Sequence, residues 1–236
     1  MRPSHALILL FASALVPSAA ATATSAGKVA AKQDWTKAVA LTPDGGFRMG
    51  NPAAPVRLVE YGSLACPHCR HFDETGFKPL VQSYVSTGRV SYEFRNLLIS
   101  GPDISISLLA HCSGPGKFFA MSQYVFATQP QWVKRFESMS DAQQDELAKM
   151  TNQQQVVRFA EIGGFAQIAS RFGVSPARAR QCLADPKGLK RLLDMTEKAT
   201  ESGVKHTPSF LINGKLTDAS TWGDLEPLIR QAGERG

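Results

Sequence analysis

Two thiols separated by two residues, Cys66-Pro67-His68-Cys69, form the most reactive grouping in this 236-residue chain. A cysteine attacks a disulfide only as its thiolate, so a working pair needs surroundings that stabilise the anion. The start of a helix provides them, because unpaired backbone N–H groups and the helix dipole favour negative charge there. Pro67 suits a first-turn position. The spacing brings Cys69 within bonding reach of Cys66, so the pair can close a disulfide and reopen it. His68 can add positive charge or donors beside the thiolate and lower its pKa further. A lower pKa stabilises the reduced form and makes the oxidised form the stronger oxidant, which points to disulfide donation. Glu60 stands six residues before Cys66, placed to relay the proton that a buried Cys69 must gain or lose.

Each of these residues also has a plainer reading. A CxxC can be half of a zinc site, but the remaining cysteines, Cys112 and Cys182, supply no second close pair, and no metal is expected. His68 can be an exposed helix residue, and Glu60 a solvated strand-end carboxylate. The cysteines carry the electrons themselves, so no bound cofactor is expected.

The elements that must position these residues can be read from the pattern around them. Val56 to Gly62 has the β-branched and aromatic content of a strand, bounded by Pro55 and by Gly62-Ser63, and runs almost directly into Cys66. Phe72, Phe77, Leu80, Val81 and Tyr84 then recur at helical spacing, with Gly76 and Pro79 expected to bend or break the helix. Arg89 to Leu98 reads as a second strand, which completes a βαβ unit with the dithiol at its first strand-to-helix junction. Upstream, Asp34 to Leu41 enters a helix or a strand, followed by turn chemistry at Pro43-Asp44-Gly45-Gly46.

From about Asp103 to Cys182 the pattern contains no convincing strand. Gly114-Pro115-Gly116, Gln129-Pro130, Gly163-Gly164 and Ser175-Pro176 divide it into several short helices. Asp185-Pro186 opens a helix that stops at Gly203. Phe210 to Ile212 and the residues around Leu216 form a hairpin across Asn213-Gly214, and Thr221 to Gln231 a last helix.

The N-terminus has a secretory layout, with Arg2, an apolar run from Ala6 to Val16 and small residues from Ser18 to Ala23. Residues 1–23 are therefore expected to be a signal peptide, too short to span a bilayer, and the compartment to be oxidising. The net charge of +6 is spread along the chain, which argues for a solvated surface and against a nucleic-acid partner.

Val59-Glu60-Tyr61, the Cys66–Cys69 motif and Thr207-Pro208 together make the sequence resemble the DsbA family of periplasmic disulfide oxidases, over about Asp34 to the C-terminus. The resemblance implies an α/β thioredoxin fold with an inserted all-helical domain, with thioredoxin-like parts at 34–102 and 183–236 and the insert at 103–182. It implies that Cys66 is the nucleophile, Cys69 the resolving cysteine and Glu60 the buried acid. Pro208 would be cis and face the dithiol, leaving the Thr207 backbone to pair with an extended substrate chain. The implied function is disulfide donation to reduced or unfolded exported proteins in the periplasm, by a monomer that a DsbB-like membrane oxidase reoxidises.

Thr207 departs from the best-known oxidase and looks more like the isomerases of the superfamily. Those carry a dimerisation domain ahead of the fold, where this chain offers only about ten to twenty residues after the leader. Oxidase is the expected direction, with an isomerase or dedicated reductase as the alternative and a non-catalytic peptide-binding chaperone as the rival of another class. Cys112 and Cys182 fall at the two ends of the helical insert, and some relatives look similar there. A structural disulfide contributing roughly 2–4 kcal/mol is expected, the alternatives being two free thiols or a second redox pair.

Overall fold

In a computed structural model that describes residues 33–234, the strand ahead of the dithiol is β3 (Val56–Gly62) and the one after it is β4 (Val90–Asn96). They pair in parallel, Val56 opposite Val90 and Gly62 opposite Asn96. A parallel pair needs a long crossover. Here it is α1 (Pro67–Phe72), a π-helical turn (Asp73–Phe77), α2 (Lys78–Leu80) and a second π-helical turn (Val81–Val85). Of the bend or break expected at Gly76 and Pro79, the break does not occur, and the helix changes type there instead. Helical backbone continues to Val85, and the wider turns shift the hydrogen-bond register around the N–H that Pro79 lacks. Gly76 serves packing instead, since a Cβ there would lie 2.7 Å from the Phe72 ring and 3.0 Å from Trp222 Cβ.

The segment from Asp34, expected to enter a helix or a strand, forms a short 3-10 turn (Trp35–Lys37) and then the strand β1 (Val39–Leu41). After the turn at Gly45 comes β2 (Phe47–Gly50), a strand for which the sequence carries little signal because it has only four residues and ends on a glycine at φ 109°. Its existence rests on pairing with β4, Phe47 opposite Phe94. The hairpin across Asn213-Gly214, both at positive φ as a type I′ turn requires, joins β5 (Ser209–Ile212) to β6 (Lys215–Leu216). The sheet order is β1-β2-β4-β3-β5-β6, antiparallel everywhere except between β3 and β4. Both faces of β4 are buried, so Ser91 and Glu93 are inside along with Val90, Tyr92 and Phe94.

Between β4 and the return to the sheet lie α3 (Gly101–Cys112), α4 (Phe118–Ala127), α5 (Gln129–Glu137), α6 (Asp141–Ala148), α7 (Asn152–Gly163), α8 (Phe165–Ser170) and α9 (Pro176–Leu183). Glycine and proline mark the breaks as expected. Two further breaks are marked by capping boxes, Ser140 with Gln143 and Thr151 with Gln154. The described residues from Asp34 on form one compact unit, in which these helices share an apolar core with the sheet: Phe47 and Phe94 lie in the same cluster as Leu109, Phe118 and Phe165. Cys112 and Cys182 are bonded, joining the C-terminus of α3 to α9. The chain ends with α10 (Pro186–Glu201) and α11 (Trp222–Glu234). The expected leader at 1–23 lies outside the described residues. Among those described, no helix is long and apolar enough to cross a membrane.

Candidate active site

β3 delivers the chain through Ser63-Leu64-Ala65 to Cys66, which is the N-cap of α1 with extended backbone at φ −81° and ψ 124°, followed by Pro67 in the first turn. Cys66 is 4% exposed and Cys69, one turn inside, is fully buried. The two sulfurs are not bonded to each other. They have opposite environments, and that asymmetry is the chemistry of the site.

The Cys66 thiol falls from its ordinary 9.0 to about 5. The largest cause is a hydrogen bond from Cys69. Burial opposes it, and Thr207 and the backbone N–H groups of Cys69 and His68 add to it. These N–H groups are the orphan donors of a helix start, turned to an anion. Cys69 moves the other way, well above its ordinary value, first because burial disfavours its anion, then because it donates to Cys66, and then because Glu60 lies near. Its sulfur accepts the backbone N–H of Ser63 at 3.5 Å.

Glu60 lies under the dithiol, 1% exposed. Burial lifts its carboxyl from 4.5 to about 8, against the pull of Tyr92, whose hydroxyl donates to Oε2 at 2.6 Å. The nearby acids Asp73 and Cys66 raise it further. A carboxyl that gains and loses its proton near neutrality, beside a thiol that must do the same, suits proton relay. Asp73, one helical turn beyond Cys69, is itself raised to about 7 by burial and by Glu74.

Across the dithiol, the Thr207–Pro208 peptide bond is cis, and the Thr207 carbonyl lies 3.3 Å from Cys66 Sγ, within reach of the thiol as an acceptor. The Thr207 N–H has no partner among the described residues. On the helical side, buried Gln129 at the start of α5 donates from Nε2 to the carbonyls of Leu64 (3.0 Å) and Cys66 (3.1 Å).

The structure thus brings together Cys66, Cys69, Glu60, Thr207 and Pro208. Pro67 and His68 are exposed. It is the backbone N–H of His68 that bears on the sulfur. Cys112 and Cys182 belong to other elements, and among the described residues no group of three His, Cys, Asp or Glu side chains is arranged to hold a metal ion. Sequence reasoning did not find Tyr92, Asp73, Ser63 or Gln129. Asp73 had a signal in its spacing of four from Cys69, which puts both on one helix face. The others reach the site by pairing or packing across 20 or more residues of sequence, or sit in the turn itself.

Comparison with known proteins follows the same lines. A family model described as Thioredoxin matches residues 42–231. A Rickettsia bellii protein that carries the name protein-disulfide oxidoreductase is 27% identical over 78% of this chain and 63% of its own length, and a Rickettsia conorii counterpart is 28% identical over 79% and 61%. The chain therefore spans a little over three fifths of these relatives. A crystal structure of a protein-disulfide isomerase from Novosphingobium aromaticivorans is similar at TM-score 0.74 and 29% identity, over 79% of this chain and 96% of that one. Alpha-DsbA1 of Wolbachia pipientis shares the fold at TM-score 0.62 and 20% identity, over 83% and 94%.

Proposed function

The chain belongs to the thioredoxin family, and from that premise we propose that it is a thiol:disulfide oxidoreductase that donates the Cys66–Cys69 disulfide to exported proteins. The observation that carries this reading is the stabilised Cys66 thiolate at the N-cap of α1. A thiol held near pKa 5 makes a good leaving group and a stable reduced state, so the disulfide it forms is readily given up.

In the proposed reaction a substrate thiolate attacks Cys66 Sγ of the oxidised protein. The Cys66–Cys69 bond breaks, and Cys69 leaves as a thiolate that takes up a proton through Glu60. A second substrate thiolate then attacks the substrate sulfur of the mixed disulfide and releases Cys66 as the thiolate. The substrate has lost two electrons and gained a disulfide, and the protein holds a dithiol. The Thr207 N–H, without a partner among the described residues, and its carbonyl, beside Pro208, would pair with an extended substrate backbone. Reoxidation by a DsbB-like membrane protein, a signal peptide with a periplasmic location, and action as a monomer complete the proposal.

Isomerase activity is a second reading, favoured by Thr207 and by the name of the Novosphingobium relative. Oxidative refolding of a reduced, unfolded substrate distinguishes them. The oxidised wild type is expected to form substrate disulfides and Cys66→Ser to form none. If wild type acts only on a scrambled, already oxidised substrate, disulfide donation is wrong and isomerisation stands.

A further inference from the structure

Ser63 closes the turn between β3 and the dithiol, is fully buried, and has every polar group engaged. Its N–H donates to Cys69 Sγ, its carbonyl accepts from the Cys66 N–H at 3.2 Å, and its Oγ accepts from the Ala65 N–H at 3.0 Å. The same Oγ donates to the carboxylate of Asp103 at 2.7 Å.

Asp103 stands at the third residue of α3 and is 0% exposed. In a capping box the side chain at that position reaches back to the N-cap of its own helix. This one turns instead to the active-site turn and to its own N-terminal approach. Oδ2 accepts from Ser63 Oγ and from the Ile99 N–H at 3.2 Å, and Oδ1 from the Leu64 N–H and Ser107 Oγ, both at 3.2 Å. Both oxygens are therefore occupied by two donors each, one of them a backbone N–H that cannot turn round. Burial raises the carboxyl to about 6 against the pull of these donors, so near neutral pH the ionised form that accepts from all four prevails. Beyond it, Ser107 accepts from Asn96 at 2.9 Å, and Asn96 meets His111 at 2.8 Å, so the polar chain continues along α3.

We propose that Asp103 is a positioning residue for the dithiol: through Ser63 it aims the backbone N–H that meets the Cys69 sulfur, and so sets how firmly the reduced form is held. It touches neither cysteine. The inference rests on the reading of Cys66 and Cys69 as a redox pair.

The test is equilibration with glutathione. The protein dithiol and glutathione disulfide exchange to protein disulfide and two glutathione thiols. Two electrons leave the cysteine sulfurs, one S–S bond forms as another breaks, and the two glutathione thiols take one proton from Cys69 and one from solvent, Cys66 being already a thiolate. In Asp103→Asn, whichever end the amide nitrogen takes, it confronts a backbone N–H. Ser63→Ala removes the link while sparing the carboxylate. Both are expected to move the constant about three- to tenfold toward protein disulfide, because reduced Cys69 loses a well-aimed donor. Tenfold corresponds to about 30 mV for a two-electron couple.

Leu109→Ala, which loosens α3 at a fully buried apolar position away from this network, is expected to lower the melting temperature and leave the constant in place. A folded Ser63→Ala with the wild-type constant overturns the inference, whether or not Asp103→Asn folds, and so does an equal shift in Leu109→Ala. If the wild type forms no disulfide with glutathione at all, the redox reading itself fails and takes the inference with it.

Discussion

Replacing Glu60 with Gln makes the protein more stable as the pH rises, by an amount the structure sets. The wild-type carboxyl goes from 4.5 in the unfolded chain to about 8 in the folded protein, chiefly because its anion would sit without water. The folded state holds the proton more tightly than the unfolded state. Glu60 therefore costs nothing below about pH 4.5, and the wild type loses stability progressively as the pH rises through 8. At roughly 1.4 kcal/mol per pH unit, the loss is about 3 kcal/mol at pH 7 and approaches about 5 kcal/mol above pH 9. Gln carries no charge and its amide oxygen can still accept from Tyr92, so the variant escapes this slope. Denaturant unfolding of the reduced proteins at pH 4, 7 and 9 measures it, because the titrations of groups that Glu60 does not touch cancel in the difference. A difference that does not change with pH would refute the assignment of a desolvated, titrating carboxyl to Glu60. The same residue predicts a kinetic penalty. In the proposed relay about one tenth of Glu60 is ionised at pH 7 to accept the Cys69 proton, so closure of the disulfide is expected to speed up toward pH 9 in the wild type, and Gln to remove that rise.

Three further outcomes follow from the geometry. The thiolate absorbance of the reduced protein titrates near pH 5 and is lost in Cys66→Ser. Since this folded value lies below the unfolded 9.0, the reduced protein draws stability from Cys66 that is complete above pH 9 and lost as the pH falls through 5, and a titration midpoint above 8 would contradict the site as described. Gly62→Ala places a Cβ 2.5 Å from the Phe94 ring and 2.9 Å from Glu60 Oε1, and guanidinium unfolding should register a loss of about 1–3 kcal/mol from overpacking. Changing Cys112 and Cys182 together to Ser opens a crosslink between residues 70 apart in sequence. It should cost about 2–5 kcal/mol while the glutathione equilibrium of Cys66 and Cys69 stays as in the wild type; a comparable shift in that equilibrium would make the second pair redox-active in its own right.

Much of the local structure was written in the order of residues. A CxxC after a β-branched run, Pro67 in the first turn, Asn213-Gly214 between short strands and the glycine and proline breaks of the helical segment all act within a few residues, where backbone sterics and capping decide the conformation. Glu60 was legible from its place at a strand end six residues before Cys66 and Thr207-Pro208 through resemblance, and Ser140 and Thr151 carried cap signals in the Ser/Thr-x-x-Gln pattern. What the order of residues left open was burial and pairing. Glu60 titrates near neutrality only because β4 and β5 close over it and Tyr92 arrives from 32 residues away. His68 lies between the cysteines in sequence, yet its side chain stands in solvent and its backbone faces the sulfur. Asp103 reads as an ordinary helix-start acid until α3 is packed against the Ser63 turn, 40 residues back. The dithiol was determined by its sequence. Which groups hold, raise or release its protons was decided by tertiary structure, because desolvation and hydrogen bonding depend on neighbours that only folding brings together.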